Sequence, residues 1–194
     1  MNKDYQFLYR STTLSDYVRV YDAALTADQC QGLIQSFDAA TDQQAELSTD
    51  VHSFVHINMN QHDWYMDDLY NSLTLHRQRY WDDCNISLQQ IGQHDYEAFK
   101  IRRYSAAAGH RQQPYVDAYN RTTSQRFLTC IWNLNDVEQG GETTFFRLEE
   151  PLSIAPRQGQ LIMFPATWQY VRAELPPLSE DRYSVVSYFH WTGL

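Results

Sequence analysis

The chain is 194 residues long, with 15 Lys+Arg against 24 Asp+Glu and a formal net charge of −9 at pH 7. That length suits one domain with a core that needs no disulfides, and 43% apolar residues with 14% aromatics exclude a disordered chain. The acidic balance counts against a bulk electrostatic grip on nucleic-acid phosphates, while seven His beside the many carboxylates make an oxygen/nitrogen metal site worth seeking.

Met1-Asn2-Lys3-Asp4-Tyr5 lacks an apolar signal core, and no run approaches the ~18 apolar residues of a spanning helix, so a cytoplasmic protein without a membrane partner is expected. Thr26-Ala27-Asp28-Gln29 has the form of a capping box, followed at helical spacing by Leu33, Ile34 and Phe37. Residues 38–50 are polar and read as loop. His52 and His56 stand at i and i+4 but lack a third acidic partner at fixed spacing; with His62, His76 and His94 they read as surface or core histidines. A second helix is expected from about His62 to Asp83, with Leu69, Leu73 and Tyr80 on or near one stripe. Cys30, Cys84 and Cys130 are odd in number and widely spaced, matching neither a disulfide framework nor a Cys-x-x-Cys motif, and read as idle thiols in a reducing compartment. Asn85-Ile86-Ser87 and Asn120-Arg121-Thr122 fit the glycosylation sequon by chance.

From Ala98 the texture changes. Phe99–Tyr104, Arg126–Leu134, Gln160–Phe164, Trp168–Glu174 and Arg182–Trp191 are short runs rich in β-branched and aromatic residues, separated by Gly, Pro, Asn and Asp. Gly140-Gly141 marks a tight turn and Pro176-Pro177 a stiff loop. The expectation is one α+β domain, with a mainly helical part over 1–97 and a β core of about eight strands over 98–194.

Within that β part, Tyr104, Gly109, Tyr115-Val116-Asp117, Arg126 to Asp136, Gly140-Gly141-Glu142-Thr143-Thr144-Phe145, Pro156, Gly159, Phe164-Pro165 and Arg182-Tyr183-Ser184 follow one another in a familiar order. Over roughly residues 98–191 the chain resembles the iron(II)/2-oxoglutarate-dependent oxygenases of the prolyl-4-hydroxylase type. The resemblance implies a double-stranded β-helix, or jelly roll, with the N-terminal helices packed on one sheet. It also implies an iron site built from a His-x-Asp pair and a distal His, which binds Fe(II) on one face and leaves positions open for 2-oxoglutarate and oxygen.

Carried over residue by residue, two of these ligand positions are altered. Tyr115 stands at the first His, Asp117 is kept, and Arg172 stands at the distal His. A neutral phenol is a poor Fe(II) ligand, and a guanidinium has no lone pair to give. An Arg172–Asp117 ion pair completed by the Tyr115 hydroxyl is therefore expected. At the cofactor end the resemblance assigns Tyr104 to the 2-oxoglutarate pocket and Arg182 to the acid anchor, with Ser184 completing an Arg-x-Ser pattern. Asn133 replaces a common pocket tyrosine, and Thr129 shares its face. Arg182 is read equally as the anchor for an organic acid, 2-oxoglutarate or another, or as the partner of an acidic neighbour such as Glu174.

Two functions follow. One is a pseudo-oxygenase, with no iron cofactor, that binds a small anionic molecule in a locally basic interior. The other is a metal-independent enzyme in which Tyr115, Asp117 and Arg172 serve as proton donor, base and anion clamp. The alternative is an active Fe(II)/2-oxoglutarate hydroxylase of a small molecule or peptidyl residue, with a non-standard ligand set drawing on His110 or His190. Substrate and oligomeric state have no motif.

Overall fold

The computed structural model describes residues 13–87 and 91–193. The Met1–Tyr5 segment read for a signal core lies outside them. α1 spans Ala27–Ala39 and begins on a reciprocal cap: Thr26 Oγ1 accepts from the Gln29 N–H at 3.2 Å, and Gln29 Oε1 accepts from the Thr26 N–H at 2.8 Å. Its buried face carries Cys30, Leu33 and Phe37. α2 spans Met66–Asp83 and buries Leu69, Leu73, Tyr80 and Trp81. It starts later than expected, because residues 59–61 form a separate 3-10 turn and Tyr65 at the N-cap is left-handed, with φ 50°.

Among the described residues, twelve strands form one sheet path with two branches. They are β1 (Arg19–Tyr21), β2 (Ala45–Ser48), β3 (His52–Asn58), β4 (His94–Tyr96), β5 (Lys100–Tyr104) and β6 (Arg111–Tyr115), then β7 (Arg126–Asn133), β8 (Thr143–Phe145), β9 (Leu152–Ile154), β10 (Leu161–Pro165), β11 (Arg172–Glu174) and β12 (Arg182–Trp191). Their order is β1-β10-β7-β12-β5-β3-β6-β11-β8-β9, with β2 added on β3 and β4 on β12; every pairing is antiparallel.

Three expectations are corrected here. Residues 45–48, read as loop, are β2, and the first half supplies β1 to β4 to the sheet beside its two helices. Only Arg172–Glu174 of the Trp168–Glu174 run is strand, because the Tyr170 N–H turns back to the Thr167 carbonyl at 2.9 Å. Gly140 and Gly141 do turn the chain, both at φ 75°, and a Cβ on Gly140 would sit 2.4 Å from the Pro176 carbonyl.

The sheet curls, and alternation along each strand sends side chains to two cores. Cys130 and Trp132 of β7, Leu161 and Met163 of β10, and Val185 and Phe189 of β12 pack with α1 and α2. Ile131, Ile162, Phe164, Val186 and Tyr188 from the same strands point the other way and meet Phe145 and Ile154 of β8 and β9. The molecule is thus a double-stranded β-helix with both helices on one face. The polar site lies in the second space, between the sheets.

Candidate functional site

β11 sits between β6 and β8, with Arg172 directly opposite Tyr115 on one side and Phe145 on the other. Arg172 and Glu174 stand two residues apart and so project to the same, inner face. Arg172 is fully buried and Asp117 is 3% exposed. Arg172 Nη2 donates to Asp117 Oδ1 and Oδ2 at 3.1 and 3.0 Å, and Nε donates to Oδ2 at 3.3 Å. Its Nη1 donates to Glu174 Oε1. Thr129 on β7 adds its hydroxyl to Asp117 Oδ2 at 3.0 Å.

Glu174 joins this pair to a second one. Its Oε2 accepts from Arg182 Nη1 and, at 2.7 Å, from the Thr143 hydroxyl of β8. Arg182 in turn donates to Asn133 Oδ1 through Nη2 at 2.8 Å and to Thr143 Oγ1 at 3.1 Å. Ser184 lies opposite Asn133 and Arg102 in the strand register. Two guanidinium groups therefore face two carboxylates in one sealed chain, Asp117–Arg172–Glu174–Arg182. Of the two uses read for Arg182, it makes the bond to Glu174.

Electrostatics matches the geometry. Burial pushes the Glu174 carboxyl up, but Arg182, Arg172 and the Thr143 hydrogen bond outweigh it and hold the group below the ordinary carboxylate range. Burial also weakens the Arg172 cation, and Asp117, Tyr115 and Glu174 more than restore it. Such pairs offset the cost of taking charge out of water without adding much net stability, yet each member becomes costly to remove alone.

The Tyr115 hydroxyl does not complete the ion pair, contrary to expectation. The Arg172 guanidinium lies over the Tyr115 ring, 4.6 Å from its centroid, and the phenol reaches past it to Gln112 Oε1 at 3.0 Å. Tyr104 donates to the same oxygen at 2.7 Å. The Gln112 amide nitrogen approaches His52 Nδ1 at 3.3 Å, and the His52 ring meets that of Tyr115 edge-on at 4.9 Å. Burial raises the Tyr115 phenol well above its ordinary value, with nearby Arg172 opposing, so it stays protonated.

Sequence reasoning missed Gln112 and His52. Both face the site because β3 pairs with β6, His52 opposite Gln112, a long-range register that no local pattern reveals. His110 lies elsewhere, with Nε2 4.0 Å from the Glu46 carboxylate. His190 is opposite Arg126 on β7 and Asp95 on β4. Among the described residues, no group of three or more His, Cys, Asp or Glu gathers where a metal ion could be held. Asp117 is the one residue of the Tyr115, Asp117 and Arg172 set with carboxylate lone pairs for a cation, and both its oxygens are engaged.

Residues 99–190 match the family described as the 2OG-Fe(II) oxygenase superfamily. No curated protein sequence matches the chain. Among solved structures, the fold is similar to a viral collagen prolyl hydroxylase from Paramecium bursaria chlorella virus 1, in a 2OG complex. That match has a TM-score of 0.71 at 17% identity and covers 91% of this chain and 97% of the other. A prolyl-4-hydroxylase from Pseudomonas putida superposes with a TM-score of 0.72 at 16% identity, covering 91% and 94%. A prolyl hydroxylase from Trichoplax adhaerens, in complex with a hypoxia inducible factor peptide fragment, gives 0.72 at 12% identity, covering 91% and 84%. The motif order, the match over residues 99–190 and the curled antiparallel sheet together give the chain the fold of the 2OG-Fe(II) oxygenase superfamily, similar to that of its prolyl hydroxylases.

Proposed function

We propose that this chain is a pseudo-oxygenase, a binding module that keeps the superfamily's fold without its iron chemistry. One observation carries the reading. The fully buried Arg172 guanidinium holds both Asp117 and Glu174, which puts a permanent cation at the position that the resemblance gives to the distal iron ligand. The donor set does not fit Fe(II). Arg172 offers five donors and no acceptor, Tyr115 stays a neutral phenol, and Asp117 alone is too little to hold a divalent ion.

The same geometry disfavours a metal-independent enzyme at these residues. A base needs a free lone pair within reach of a substrate proton, and the Asp117 oxygens are taken by Arg172 and Thr129. We further propose that the protein works in a reducing cytoplasm on a small anionic partner rather than a nucleic acid. The net charge of −9 and the three free thiols suit that setting, and no helix among the described residues is long and apolar enough to cross a membrane.

Anaerobic titration with Fe(II) and 2-oxoglutarate tests the reading. The expected result is no metal-to-ligand charge-transfer band, and no succinate once air is admitted. Stoichiometric iron with succinate release would overturn it in favour of an active hydroxylase. A Tyr115→His, Arg172→His double variant probes the cause, since recovered iron binding assigns the loss to those two positions.

A further inference from the structure

Among the described residues, the two sealed ion pairs leave the buried cation Arg102 without an acid. Arg102 on β5 is 9% exposed, and its hydrogen bonds are long: Nη1 to Gln112 Oε1 at 3.5 Å and Nη2 to the Tyr188 hydroxyl at 3.3 Å. The Gln112 oxygen already accepts from two phenols at 2.7 and 3.0 Å, so its two lone pairs are taken. Arg102 Nε is buried with no partner. The guanidinium stacks on Phe54, 4.9 Å from the ring centroid, which supports it from one face and leaves its Nε–H without an acceptor.

The neighbours make this shortage deeper. His56 stands opposite Arg102 in the β3–β5 register, and its buried Nδ1 also lacks a partner. Lys100 is two residues away on the same face. The nearby acids are committed: Glu97 to Arg126 through bonds of 2.5 and 2.7 Å, and Asp117 and Glu174 to Arg172 and Arg182. An unpaired charge this deeply buried is costly unless something else supplies the counter-charge. On the outer side, His56 also lines a cleft of about 430 Å³ whose walls include Gln43, Ala45, Ile57 and Asn58.

We propose that Arg102, flanked by His56 and Tyr188, binds the carboxylate group of a small organic acid, at a place distinct from the Arg182 position that Glu174 already fills. The planar fork with its free Nε edge fits a carboxylate in bidentate fashion. This inference deepens the binding-module reading by naming its site, and its test does not involve iron.

The iron-free protein is titrated with succinate, with glutarate and, separately, with inorganic phosphate. Binding is followed by calorimetry, and the imidazole signals of His52 and His56 by NMR. A dicarboxylate is expected to bind with Kd of about 1 mM or tighter, and Arg102→Gln to weaken it about tenfold or more. Burial, Arg102 and Lys100 hold His56 below its ordinary pKa of 6.5, and burial, Arg102 and Arg172 hold His52 below it, opposed by Asp117. A bound carboxylate offsets those cations, so both histidines should titrate at higher pH in its presence.

Arg102→Lys keeps the charge without the fork and serves where the glutamine variant fails to fold; it too should bind more weakly. Wild-type protein that binds neither dicarboxylate, or binding unchanged by either substitution, overturns the proposal. Phosphate bound as tightly as succinate overturns the carboxylate assignment. Turnover of 2-oxoglutarate by the iron-loaded wild type would overturn the pseudo-oxygenase reading alone, leaving binding at Arg102 intact.

Discussion

Arg172 fixes two carboxylates at once, so its removal tests the cluster directly. Arg172→Met keeps an apolar stem but leaves Asp117 and Glu174 buried with reduced compensation. Destabilisation of about 3–5 kcal/mol is expected, read as a fall in the denaturant midpoint. Glu174 gives a pH signature. Its folded pKa lies below the ordinary 4.5, so the stability it contributes is complete above that value and is lost as pH falls through the folded value. In acid titrations of unfolding, Glu174→Gln should lower stability near neutrality and flatten the acid limb. An unchanged acid limb would show that Glu174 is not the group being titrated.

Among the elements, α2 is held to the sheet by a polar pin as well as by its apolar stripe. The Ser72 hydroxyl donates to the Ala24 carbonyl at 2.8 Å and accepts from Trp132 Nε1–H at 3.0 Å. Ser72→Ala strands both partners in the core, which costs about 1–3 kcal/mol and should appear as a lower Tm with unchanged helix content at low temperature. The segment before α1 is tied down by Gly159, whose carbonyl accepts from the Ala24 and Leu25 N–H groups at 2.7 and 3.2 Å. Gly159 has φ 74°, and a Cβ there would lie 2.3 Å from the Leu25 carbonyl oxygen. Gly159→Ala should therefore destabilise by about 1–3 kcal/mol and speed hydrogen exchange at the Ala24 and Leu25 amides.

At the scale of the molecule, the strands buried on both faces were legible without coordinates as continuous apolar runs. β7, β10 and β12 each bury one side against helices and the other between sheets, and their runs of Leu, Ile, Val and Phe mark them. β6 was not legible. Arg111-Gln112-Gln113-Pro114-Tyr115 has no apolar alternation, because its inner face carries the polar side chains of the site. β2 and β3 were hidden for a related reason: a hairpin with Ser, Asn and His at its ends resembles a polar loop until the pairing with β5 and β6 is known. The Asp117–Arg172 pair could be read from motif position alone. The Arg102 environment could not, since its meaning depends on which acids are already engaged across several strands.

The bridge made by Glu174 also sets a competition for Arg182. A carboxylate fixed to the backbone two residues from one arginine and hydrogen-bonded to another acts as a tethered competitor, present at an effective concentration of mM or higher. Any free acid seeking Arg182 must first displace it and strand its charge. Outside acids at concentrations below that effective value therefore leave the Arg182–Glu174 bond in place, and the interior keeps one arrangement.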